Sequence, residues 1–202
     1  MTSLYPLELT SAAAAALWLI IILLLHFTKP ELDPRTRMIS EYAREPHGWI
    51  MQLAFFCMAL SCGALAVAMW ALPLLLGSAL LTICSVGFAG AGIFVTDPVS
   101  LAQRTQTRSG ALHVLFAFAV IAIFPIMATV VGIGVAGKVT SISARYWLPA
   151  LSGLPWTGFL VFIGATLISV RRPRTPLGYC ERFLVLAYSL WLVAIALMLA
   201  ST

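Results

Sequence analysis

The chain has 202 residues, of which 61% are apolar and 9% charged, against about a quarter charged in ordinary soluble domains. Twelve basic and seven acidic side chains cannot cover a water-soluble globule of this size, and a mean hydropathy of +1.01 excludes a soluble enzyme domain, a disordered tail and a nucleic-acid reader. The net charge of +5 then matters through where its basic residues lie, because in a membrane protein they set topology.

A bilayer core needs about 20 apolar residues per helical span, and the first such stretch covers residues 11–28. No Lys or Arg precedes Lys29, and the alanine run comes before the apolar core, so the stretch reads as a retained helix and not as a cleaved leader. In the first connection Asp33 and Pro34 form an N-cap and N1 pair, and Pro46 is a stop. The spacing predicts a short amphipathic helix of about three turns with Met38 and Tyr42 on one face. Lying on the membrane, it is an anchor; folded over the bundle, it makes Ser40, Glu41 and Tyr42 part of a lid.

Spans two and three cover residues 48–72 and 74–95, with Pro73 making the hairpin between them. Gly87 and Ala91 give the third span small-xxx-small spacing. It ends at Thr96-Asp97-Pro98, where Asp97 reads both as a cap and as a carboxylate available to a site. Span four covers 110–136, with His113 about one turn inside it. Histidine at that depth suits a bond to a neighbouring carbonyl, or proton transfer and headgroup binding. Span five covers 148–170 and span six 179–200, with Pro125 and Pro155 expected to kink their helices. Gly178-Tyr179-Cys180-Glu181-Arg182 opens the last span. The helix dipole favours Glu181 there, and Arg182 needs a carboxylate, phosphate or water: it reads first as an anchor reaching lipid phosphate, with pairing to Asp97 or Glu41 as the sharper alternative. Cys57, Cys62 and Cys84 fall within spans and Cys180 near a boundary, so all four read as free thiols.

Ten of the twelve basic residues fall on one side. Lys29, Arg35, Arg37 and Arg44 lie in the first connection, Arg104 and Arg108 in the third, and Arg171, Arg172, Arg174 and Arg182 in the fifth, against Lys138 and Arg145 opposite. The odd connections are therefore expected in the cytoplasm and both termini outside. The fold class is an all-α membrane protein, residues 1–202 forming a single bundle of six transmembrane helices.

No Asp, Glu, Lys or Arg occupies the middle of a span, which disfavours an ion-coupled carrier. The three histidines have no short ligand spacing, and His26 and His113 could share one haem only if their helices face each other. There is no nucleophile elbow, phosphate-cradling loop or metalloprotease motif. No cofactor and no metal are implied.

Four ordered segments carry a resemblance across nearly the whole chain. They are Asp33-Pro34 with Ile39 to Ala43 and Gly48-Trp49, then Gly87 to Pro98, then Gly110 to His113, then Gly178 to Arg182 with Trp191. Together they resemble a prokaryotic family of six-helix membrane proteins known as a domain of unknown function, numbered nine hundred and ninety-eight. Val95 stands where that pattern has proline. The resemblance implies an architecture in the prokaryotic plasma membrane, and no activity.

Polar residues crowd the cytoplasmic end, and Glu41, Asp97, Arg108, His113, Glu181 and Arg182 are the candidates to bind a lipid headgroup or other small amphiphile there. In that reading Asp97 and Glu181 orient the two arginines, the arginines contact phosphate, and His113 donates a hydrogen bond or proton. One alternative is a lipid-modifying enzyme, with Asp97 or Glu181 as base and His113 as acid, or a metal on His26, His113 and Asp97. The other is a non-catalytic interaction subunit, whose glycine-rich spans three and four would support a homo- or hetero-oligomer. Membrane lipids are the expected partners and nucleic acid is not.

Overall fold

The computed structural model describes residues 4–44, 46–98, 107–139, 142–172 and 175–201, and every regular element among them is helical. The helices are α1 (Tyr5–Thr28), α2 (Trp49–Ala71), α3 (Leu75–Ile93), α4 (Arg108–Ala136), α5 (Ile142–Leu151), α6 (Gly153–Ser169) and α7 (Leu177–Ala200). Six stretches are long and apolar enough to cross a membrane, the fifth being Arg145–Ser169, which runs through α5 and α6.

The expected fifth span is therefore broken, and prolines explain it. Pro155 has no amide for the Leu151 carbonyl, while the Ser152 amide turns back to Pro149 O at 3.0 Å. The Ser152 hydroxyl donates to Ala128 O at 2.9 Å, pinning the joint to α4. Gly132 lets the two approach, since a Cβ there would meet the Leu148 carbonyl oxygen at 2.9 Å.

Each spanning helix buries one stripe and leaves its other face apolar for lipid. In α1 the buried stripe is Ser11, Ala15, Trp18, Ile22 and Leu25, spaced alternately four and three, while Leu17, Ile20, Leu24 and Phe27 are exposed. In α7 it is Leu184, Tyr188, Trp191 and Ile195. α1 packs between α2 and α7, α3 between α2 and α4, and α6 against α7. The small residues of α3 bring α4 close: a Cβ at Gly90 would run into the Phe116 ring, and one at Gly87 into Val120. The ring is closed most thinly where α4 faces α6 and α7.

The first connection does not form the expected three-turn amphipathic helix. Asp33 accepts from the Arg35 amide at 2.9 Å and makes a tight turn, and only a short 3-10 helix, Ile39–Ala43, follows. The physical reason lies in α7. Arg35 O accepts from the Gly178 amide, and Pro34 O and Arg37 O accept from Arg182, so these carbonyls face another helix. Ile39, Glu41, Tyr42 and Ala43 are buried against the bundle, so the segment is not an outward-lying surface helix.

Candidate functional site

Arg182, in the first turns of α7, ties the first connection down. Its Nε donates to His26 Nε2 at 2.6 Å, and its Nη1 donates to Pro34 O, Arg37 O and Gly178 O at 2.8 to 3.0 Å. Nη2 donates to the Tyr42 hydroxyl at 3.1 Å, and the guanidinium lies 5.8 Å from the Tyr42 ring centre. His26 Nδ1 contacts Ile22 O at 2.7 Å; a carbonyl only accepts, so Nδ1 carries the proton and Nε2 is the acceptor that Arg182 needs. Neither His26 nitrogen is left for a metal.

Two carboxylates complete this clamp. Glu181 accepts from the Ile39 amide, and Glu41, only 2% exposed, accepts from the Met38 amide and from Arg37 Nη1, each at 3.0 Å. Lys29, 4% exposed, donates to Tyr42 O at 2.8 Å and Arg44 O at 2.6 Å. Burial pushes its ammonium below the ordinary lysine range, opposed by the nearby Glu31 carboxylate.

Asp97 and His113 organise the turn between α3 and α4. Asp97 accepts from the Thr107 amide and hydroxyl, both at 2.8 Å, while Thr107 Oγ1 accepts from the Gly110 amide at 3.0 Å and caps α4. A Cβ at position 110 would meet the Asp97 carboxylate and force it to shift away from Thr107. His113 directs Nδ1 at Ala91 O (3.0 Å) and Phe94 O (2.8 Å), so Nδ1 is protonated and closes the C-terminal end of α3. Its Nε2 takes no hydrogen bond from the described residues and is not enclosed.

Between these two assemblies lies a chamber of about 300 Å³. Met38, Ile39, Ser40, Thr96, His113 and Glu181 surround its end at the first connection, and Trp18, Phe55, Met58, Phe88, Val120 and Tyr188 line the interior. From Glu181 to Tyr188 it extends about 10 Å along α7. Deep inside, the Tyr188 hydroxyl donates to Ile121 O at 2.8 Å, which joins α7 to α4 and leaves that end apolar. The side toward Val114, Ala117, Phe118, Phe162 and Val185 is the thinly closed part of the ring, where Val114 and Phe118 are exposed.

Of the six sequence-derived site residues, Glu181 and His113 share the chamber. Glu41 and Arg182 lie behind its wall in the clamp. Asp97 is engaged with Thr107 at the start of α4, and Arg108 is exposed. The alternative pairing of Arg182 with Asp97 or Glu41 is not formed, because carbonyls, Tyr42 and His26 take its donors. A metal on His26, His113 and Asp97 is not assembled either: no group of three such ligands gathers among the described residues. Arg104 and Arg174, part of the charge count, lie outside the described residues. Sequence reasoning missed Lys29 as a clamp residue and Tyr188 as a chamber wall; a lysine at a span end and a tyrosine inside a span are the signals that were available.

No curated protein and no solved structure matches the chain. A family match covers residues 12–198, and the six apolar helices fit a membrane domain. The chain belongs to the family described as "Protein of unknown function (DUF998)".

Proposed function

We propose that this protein binds a membrane amphiphile, a lipid or a lipid-like small molecule, in the chamber between α4 and α7. The observation that carries the reading is the chamber's polarity gradient: carboxylate, imidazole and hydroxyl groups at one end, aromatic and aliphatic side chains at the other. Lys29, Arg37 and Arg182 lie in the clamp at the polar end, which supports a chamber in the cytoplasmic leaflet of a prokaryotic plasma membrane. Glu181 and His113 contact the ligand, while Glu41 and Arg182 hold the first connection and Asp97 holds the start of α4.

Native mass spectrometry of the purified full-length protein tests this. The wild type is expected to carry a bound amphiphile, and Ala117→Trp, which fills the chamber from its open side, is expected to lose it without loss of thermal stability in detergent. Equal occupancy in the two proteins would refute the reading.

Glu181 and His113 on one chamber favour a second reading, acid-base chemistry on a bound lipid. Labelled lipids turned over by the wild type and not by His113→Leu would support it. An interaction subunit is less favoured, since Gly87 and Gly90 already receive Val120 and Phe116 of the same chain.

A further inference from the structure

The proposed ligand has a head whose chemistry can be read from what the chamber offers it, an inference that rests on the amphiphile reading above. Among the described residues no lysine or arginine lines the chamber. The cations of the adjoining clamp are engaged by the protein: Arg182 by five acceptors, Lys29 by two carbonyls, and Arg37 by Glu41. The Ile39 amide beside the chamber is already taken by Glu181. The indole N–H of Trp18 is enclosed and gives the chamber no donor.

Acceptors are what remain. Glu181 bonds Ile39 through one carboxylate oxygen, and its other oxygen takes no hydrogen bond from the described residues and is not enclosed. His113 Nε2 is in the same condition, and its tautomer makes it an acceptor because Nδ1 holds the proton against two carbonyls. Ser40 adds a hydroxyl that either donates or accepts. A phosphate or carboxylate head would place its charge beside Glu181 with no cation among the described lining residues to neutralise it, which is costly in an apolar setting. A head that donates hydrogen bonds satisfies Glu181 and His113 together.

Size limits the rest of the molecule. At about 30 Å³ per water-sized group, a 300 Å³ chamber takes on the order of ten heavy atoms, a small head and the first part of one chain. The remainder leaves between α4 and α6, past Phe118 and Phe162, into lipid. We propose that the chamber selects single-chain amphiphiles with a hydroxyl or amine head, and rejects those with a phosphate or carboxylate head.

Photoreactive probes test this on the full-length protein in lipid nanodiscs. Four diazirine probes of equal chain length are compared: a hexadecyl alcohol, amine, phosphate and carboxylate. The alcohol or the amine is expected to label chamber residues about tenfold more than either acid, the ratio that about 1.4 kcal/mol of discrimination gives. Labelling should disappear in Ala117→Trp, or in Val185→Trp should the first variant not fold. Equal or stronger labelling by the phosphate or carboxylate probe, still blocked by the tryptophan, would overturn the head assignment and leave the amphiphile reading standing. Labelling by no probe, or labelling that the tryptophan does not block, would overturn both.

Discussion

Arg182 makes five hydrogen bonds to groups between four and 156 positions away in sequence. Three of its acceptors are main-chain carbonyls, which carry no sequence signature, and this is why side chains alone pointed to Asp97 or Glu41. Arg182→Met should cost about 3 kcal/mol or more, since charge-assisted bonds are lost and His26 and Tyr42 lose their partner; thermal unfolding in detergent reads the loss. An unchanged melting temperature would show that the clamp contributes nothing. Arg182→Lys should recover little, because an ammonium lacks the planar fork. Lys29 adds a pH signature. Its folded-state pKa is lowered by burial, so between that value and the ordinary lysine value near 10.4 the unfolded chain holds a proton that the folded chain has released. Stability contributed by this group therefore rises with pH through that window. The melting temperature of the wild type relative to Lys29→Met should rise with pH across that window, and a constant difference would contradict the assignment.

At the scale of elements, the spans were legible because a bilayer demands long apolar runs, and the small residues of α3 were rightly read as packing positions: Gly87 and Gly90 receive α4 side chains. The break between α5 and α6 was only half visible, since Pro155 announced a kink while the Ser152 bond to α4 depends on tertiary contact. The first connection was misread as a three-turn helix because its local signals, Asp33-Pro34 and Pro46, say nothing of α7. Gly178 is where α7 accepts that connection. A Cβ there would lie 2.5 Å from both Pro34 O and Arg37 O, so Gly178→Ala should destabilise by about 1–3 kcal/mol through overpacking. Gly164 of α6 has nothing within 4 Å of the same atom and is the matched control. Gly164→Ala should be neutral or stabilising by about 1 kcal/mol at most. Equal effects of the two substitutions would show that the Gly178 contact is not limiting.

For the whole molecule, the ten-to-two basic distribution predicts the sidedness. Alkaline phosphatase fused after Thr202 should be active, and the same reporter fused after Arg172 inactive; the opposite pattern would invert the topology. The bundle was legible from composition and run length, whereas the chamber was not. Its walls come from residues as far apart as Trp18 and Tyr188, and no local pattern states which faces meet. The clamp between the first connection and α7 also bears on biosynthesis. Tyr42 leaves the ribosome 140 residues ahead of Arg182, so the segment that ends the chamber has neither its guanidinium nor its Glu181 partner until the last helix is made. The native state thus requires the first and last helices to find each other after the other helices have been made.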